Sequence, residues 1–236
     1  MNWALQYLRR FLEWLGSHSL IVLIAGLVVV VGTWGFIELA DEVREGGTQR
    51  FDEWVMRGVG RWHETQHPEL DDIGRDVTAL GGITVLSLFI LAVLGYLLIV
   101  RKYTAMWLML AASGGGLVLS LLMKQIFDRP RPEISKHLSY TLTTSFPSGH
   151  AMMSATVYLT LGALLARIVP GYLLKLYFVG IALFLTFIVG LSRIYMGVHW
   201  PTDVLAGWTA GLVWAILCWL VARSLQRRGA VEPDSE

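Results

Sequence analysis

SFPSGHAMMSATVYLT, residues 145–160, is the stretch on which the reading of this chain turns. An apolar run of helix length starts at 149, and its entrance is Pro147-Ser148-Gly149-His150. A hydroxyl, a glycine and an imidazole are unexpected at the mouth of a helix whose body suits lipid. The first turn of a helix offers unpaired backbone N–H groups and the positive end of its dipole, and both favour an anion. Glycine there lets the anion come close to the backbone.

The run is one of six apolar blocks, 19–39, 82–100, 104–123, 149–169, 172–192 and 202–222. Each is about 20 residues, enough to cross a ~30 Å hydrocarbon core as a helix. Unpaired backbone groups are not tolerated in lipid, so the blocks are expected to be helical. Hydrophobic residues make up 55% of the chain and charged residues only 16%, against roughly 25% in soluble domains. A large soluble helical core is the alternative, and six blocks of this length argue against it. Trp14, Trp34, Trp107, Trp200 and Trp219 stand at block ends, as in an interfacial belt. Arg9-Arg10 before the first block resembles a signal-peptide start, but the run is long and lacks a small-residue cleavage site, so it is read as a retained anchor. The single cysteine, Cys218, leaves no internal disulfide. A net charge of +1 without a basic, aromatic-interleaved patch gives no sign of a nucleic-acid partner. The expected fold is an all-α integral membrane bundle of six transmembrane helices.

Six spans put both termini on one side. Arg9 and Arg10, Arg101-Lys102, Arg167 with Lys175, and Arg223, Arg227 and Arg228 mark that side, which is cytoplasmic by the positive-inside rule. The connections 40–81, 124–148 and 193–201 then face outward. Residues 41–77 hold ten acids and five bases, a net of −5. Within them Phe51, Trp54, Val55, Val59 and Trp62 recur at helical spacing, with Arg50, Asp52, Glu53, Arg57 and Arg61 on other faces. The pattern predicts an amphipathic extracytoplasmic helix over 48–63, on the membrane surface or over a site, bounded by Gly46-Gly47 and His67-Pro68. Residues 1–228 read as one six-span domain, and 229–236 as a disordered cytoplasmic tail.

Three polar stretches fall at the outward block ends. They supply Lys124, Asp128, Arg129 and Arg131; then Ser148 and His150; then Ser192, Arg193, His199 and Asp203. An odd number of spans between any two would have separated them. Lys124, Arg131 and Arg193 are costly at a membrane face unless paired, and nearby acids are too few. A phosphate would neutralise them, and arginine binds two phosphate oxygens at once. His199 and Asp203 are four apart across the start of the last block, with Pro201 tolerated in the first turn. The carboxylate can then accept from one ring nitrogen and leave the other as nucleophile or base. His150 has no evident partner and suits a proton donor to a leaving oxygen. A nucleophile, an acid and a cationic clamp make a phosphoryl-transfer site. His18, His63, His67 and His137 are read as solvated, Asp128 and Arg129 as paired with each other or the loop, and Ser192 as a helix-end cap. A zinc site of His150, His199 and Asp203 would be repelled by the three cations, so no metal is assigned.

These residues resemble the three signature motifs of the type 2 phosphatidic acid phosphatase family, K-x6-R-P, P-S-G-H and S-R-x5-H-x3-D. They are carried here by Lys124, Arg131 and Pro132; Pro147, Ser148, Gly149 and His150; and Ser192, Arg193, His199 and Asp203. Arg129-Pro130 is a second R-P pair, but only Arg131 lies at the required distance from Lys124. The motifs occupy 124–203, about a third of the chain. They also occur in soluble vanadium haloperoxidases, which the apolar blocks argue against, and in glucose-6-phosphatase. The resemblance implies a metal-independent lipid phosphate phosphatase. In it His199 attacks phosphorus and is phosphorylated, Asp203 orients it, and His150 protonates the leaving oxygen. Lys124, Arg131, Arg193, Ser148 and Gly149 hold the phosphoryl oxygens. The implied partners are the bilayer and a lipid substrate: phosphatidic acid, phosphatidylglycerol phosphate, diacylglycerol pyrophosphate or undecaprenyl pyrophosphate. The acyl or prenyl chains would enter between residues 82–123 and 149–169. Two rival classes are an intramembrane serine protease using Ser148, which has no need of the cations, and a lipid or anion transporter, which has no need of the His199–Asp203 pair.

Overall fold

The computed structural model describes residues 20–64, 68–132 and 144–227. Arg9, Arg10, Trp14, His18, His67, His137, Arg228 and the tail 229–236 lie outside the described residues, as do the side chains of Trp62, His63 and Arg227. The described residues form eight helices and no strand. They are α1 (Leu20–Glu45), α2 (Gln49–Glu64), α3 (Pro68–Ala79), α4 (Ile83–Ile99), α5 (Tyr103–Ile126), α6 (Gly149–Ile168), α7 (Tyr172–Tyr195) and α8 (Pro201–Arg227).

Five of them, α1 and α5–α8, are long and apolar enough to cross a membrane. The predicted second block is α4, which has only 17 residues, about 25 Å of helix. It follows α3 through a 42° bend, and the pair makes the sixth candidate span. Helix α1 runs past its predicted end at 39 because Glu38-Leu39-Ala40 and the acidic turn after it favour helix. It stops at Gly46, whose φ of +82° suits glycine. Helix α3 was not foreseen. The step at Pro68 bounds α2, as expected, and Pro68 also opens α3, with Glu69 and Asp71 in the first turn, where their charge favours the N-terminal dipole.

Helix α6 is the hub, packed against α5, α7 and α8. Its closest approach is to α8. A Cβ on Gly207 would fall 2.6 Å from the Ser148 carbonyl oxygen, and one on Gly211 2.4 Å from that of Met152. The two backbones touch, as small residues allow within membranes. That contact places the mouth of α6 beside the first turn of α8. Trp208 and Trp214, in mid-span, donate across helices to the carbonyls of Thr186 (3.0 Å) and Ala112 (2.9 Å). Trp34 and Trp107 are exposed, as a belt requires, whereas Trp200 and Trp219 lie beneath Arg129 and Arg223.

Helix α2 packs on α7 and α8. Phe51 and Trp54 face outward, while Asp52 and Met56 are buried. The expected placement of Asp52 on a polar face is thereby corrected, because this carboxylate finds partners inside the protein.

Candidate active site

The chain leaves α7, turns at Gly197 (φ +66°) and enters α8 through Pro201. Asp203 lies in the first turn of α8, and its Oδ2 accepts from the Trp200 backbone N–H at 2.9 Å, as a capping box does. This fixes the carboxylate beside His199, which is 2% exposed. His199 Nδ1 stands 3.5 Å from Asp203 Oδ2. That is long for a hydrogen bond, as such contacts often are before substrate binds. Ser145 sits between the two: its Oγ donates to Asp203 Oδ2 and lies 3.5 Å from His199 Nδ1. The other ring nitrogen, Nε2, lies 3.4 Å from an Arg131 Nη1. Burial pushes the His199 imidazole down to about 4, against the opposing pull of Asp203. The ring is therefore neutral at pH 7, with a lone pair available.

Three cations face it. Lys124, in the last turn of α5, donates to the Thr144 carbonyl at 3.0 Å, and the Thr144 hydroxyl donates back to the Lys124 carbonyl at 3.0 Å. Arg131 donates to the carbonyls of Val198 (2.7 Å) and Thr144 (3.4 Å). Burial, opposed by Asp203, lowers its guanidinium below the ordinary arginine value. Arg193, in the last turn of α7, is 4% exposed. Its Nη1 donates to the Thr78 hydroxyl of α3 at 2.9 Å, and its buried Nε has no acceptor among the described residues. A buried donor left unpaired is costly, so an anion is the natural complement.

Ser148 is fully buried and caps α6. Its Oγ accepts from the Ala151 N–H at 3.4 Å, and its own N–H donates to the Asp203 carbonyl at 3.0 Å. Its hydroxyl makes no hydrogen bond to His150 or His199. Gly149 is next to Lys124: a Cβ there would lie 3.5 Å from Lys124 Cε. His150 packs against Gly81, in the bend between α3 and α4.

A cavity of about 350 Å³ joins these groups. Lys124, Arg131, Gly149, His150, Arg193 and His199 line it. Ser148 and Asp203, the other two predicted site residues, stand behind its wall. From the cluster it continues past Ile83, Leu86, Ile90, Leu117 and Leu121 of α4 and α5, an apolar lining fit for hydrocarbon chains.

Four participants were not foreseen: Asp52, Thr78, Arg129 and Ser145. Arg129 was expected to pair with Asp128 or the loop. Instead its Nη2 binds Asp52 Oδ2 and its Nη1 binds Asp203 Oδ1, each at 2.6 Å. Its neighbour Pro130 accepts from Trp200 Nε1 at 2.9 Å. Among the described residues no group of three or more His, Cys, Asp and Glu side chains is arranged to hold a metal ion.

The model of the PAP2 superfamily matches residues 102–227, more than half of the chain. Phosphatidylglycerophosphatase B of Bacillus subtilis is 31% identical over 180 residues, 75% of this chain and 86% of that protein. An undecaprenyl-diphosphatase of Sulfolobus acidocaldarius is 36% identical over 100 residues, 40% of this chain and 44% of that protein. The crystal structure of a transmembrane PAP2-type phosphatidylglycerolphosphate phosphatase from Bacillus subtilis superposes with a TM-score of 0.76 at 29% identity, covering 84% of this chain and 98% of that one. The match runs through the motif residues gathered around His199 and extends to the helices that carry them, and on that ground the chain belongs to the PAP2 superfamily, in a multi-pass membrane form.

Proposed function

We propose that this lipid phosphate phosphatase removes the terminal phosphate of a membrane lipid through a phosphohistidine at His199, without a metal. The observation that carries the reading is the cavity itself. His199 lines it together with Lys124, Arg131 and Arg193, and the Arg193 Nε has no acceptor among the described residues.

A phosphoryl group seated there has its oxygens among the three cations and the first N–H groups of α6. His199 Nε2 forms the N–P bond as the bond from phosphorus to the departing oxygen breaks, and His150, protonated once the anionic phosphoryl group is seated beside it, gives that oxygen its proton. Asp203 and Ser145 hold Nδ1 and stabilise the imidazolium as it forms. A water then attacks phosphorus, His150 takes its proton, the P–N bond breaks, and inorganic phosphate leaves with His199 neutral again. Such catalysis relies on positioning and on charge already in place. Gly149 keeps the approach open, and Ser148 serves by fixing the first turn of α6 against Asp203.

The apolar cavity wall supports a substrate whose tail stays in the bilayer. The names of the relatives direct the search to phosphatidylglycerol phosphate and undecaprenyl diphosphate, beside phosphatidic acid and diacylglycerol pyrophosphate. Arg101, Lys102, Lys175 and Arg223 mark the bundle end opposite the site, which supports a cytoplasmic location for that end and an extracytoplasmic active site.

The test is phosphate release from these four lipids by the purified full chain in detergent. Release that persists in EDTA, is inhibited by vanadate and vanishes in His199→Ala is expected. Turnover unaltered in His199→Ala would overturn the mechanism, and recovery of all four lipids intact would overturn the function.

A further inference from the structure

Among the described side chains of the amphipathic helix α2, Asp52 is the fully buried charge, on the face turned to the protein. Both carboxylate oxygens are engaged. Oδ1 accepts from the Thr202 backbone N–H at 3.0 Å; Oδ2 accepts from the Thr202 hydroxyl at 2.6 Å and from Arg129 Nη2 at 2.6 Å. The opposite prong of the same guanidinium, Nη1, donates to Asp203 Oδ1 at 2.6 Å and to the Thr202 hydroxyl at 2.8 Å, and Trp200 lies against it. One arginine is thus shared between a carboxylate from a surface helix and the carboxylate beside His199.

We propose that Asp52 is a positioning residue for this reaction: by binding the outer prong of Arg129 it sets where that guanidinium stands and how much of its charge reaches Asp203, and so how firmly Asp203 supports His199. The proposal rests on the role given to His199 above. A buried carboxylate needs a partner to be tolerated, and removing one member of such a set leaves an uncompensated charge. Along this chain the two possible removals act in opposite senses. Without the Asp52 charge, Arg129 bears on Asp203 alone and draws its negative potential away from the imidazole. Without Arg129, two buried carboxylates remain, and Asp203 acts on the imidazole at full strength. Among the described residues the other groups around His199 are Arg131, Lys124 of α5, His150 of α6, Arg193 of α7 and the neutral Ser145; none of them is altered by either change. Glu53, next to Asp52, lies on the exposed face of α2 with Gln49 and Arg57, so it reports on the helix without touching the chain of charges.

The experiment is hydrolysis of phosphatidic acid by the purified full chain in detergent, as a function of pH. Asp52→Asn is expected to lower kcat about tenfold, the scale on which groups behind a reacting residue act, with KM little changed and the acid limb of kcat/KM moved to lower pH. Arg129→Gln is expected to move that limb to higher pH, the double variant to return it toward the starting position, and Glu53→Gln to leave it in place. Should Asp52→Asn fail to fold, the upward shift in Arg129→Gln and its reversal in the double variant still decide the matter. Limbs that stay put in the folded variants, whatever happens to melting temperature, or that move in the same direction, would overturn the proposal. An unmodified chain that releases no phosphate would instead overturn the phosphatase reading on which it rests.

Discussion

Helices α1 and α6 invert the rule that the most apolar segment is the most buried. Among the candidate spans α1 is the most apolar and the least buried, and α6 is the least apolar and the most buried. Helix α1 buries only Ala40, whereas α6 buries ten of its twenty residues, Ser154, Thr156, Thr160 and Gly162 among them. In water the hydrophobic effect would draw α1 inward. In lipid no such force separates leucine from its surroundings, and helices associate through small residues and polar contacts. The interior of this bundle therefore holds serine, threonine and glycine beside a cluster of Leu86, Met109, Met153, Val157 and Val189, and its buried charges lie around His199 at one end of it.

If function belongs to the α6 side and lipid contact to the α1 side, substitutions should divide accordingly. The largest expected effect is at His199. His199→Ala should lower kcat by at least about 10³-fold, with an unchanged melting profile showing that the fold survives. Arg193→Gln removes one charge-stabilising donor and should cost about 10²-fold in kcat. A phosphate titration should show weaker protection of the variant against heat.

Acid should act through the same buried ring. His199 takes up a proton at an ordinary value near 6.5 when unfolded but only at about 4 when folded. The unfolded chain thus binds the proton more readily between those values. Stability is full above about pH 6.5 and is lost as pH falls toward 4, by on the order of 3 kcal/mol if the ring alone is counted. His199→Gln should flatten that part of the melting-temperature curve. Gly207→Val should force α6 and α8 apart at the Ser148 carbonyl and destabilise by about 1–3 kcal/mol, lowering activity by tilting the mouth of α6. The smallest effect is expected at Leu27, exposed on α1: Leu27→Ala should change stability by no more than about 0.5 kcal/mol. A loss there as large as at Gly207 would break the division between the two helices.

The spans were legible in the sequence because lipid demands about twenty apolar residues in a row, and that demand is local. The shortfall came at α4, a 17-residue helix that joins α3 through a 42° bend at Gly81-Gly82 to make one candidate span. The candidate site was legible because Lys124, Arg131, Gly149, His150, Arg193 and His199 stand at helix ends that topology brings to one face. Ser145, Thr78 and Asp52 left no such mark. Each is polar in a polar stretch, and each acquires its role only through tertiary contacts, such as Asp52 with Thr202, 150 positions away. Asp52 had one sequence cue, a carboxylate flanked by the aromatics of an amphipathic helix, and periodicity alone assigned it to the wrong side.

The central claim is that His199 carries the phosphoryl group. Rapid alkaline quench of the enzyme during turnover of phosphatidic acid labelled in its phosphate, followed by mapping of the label, tests it directly. The account predicts an acid-labile phosphorus on His199 that appears and decays at the rate of phosphate release. A label on Ser145 or Ser148 would contradict it.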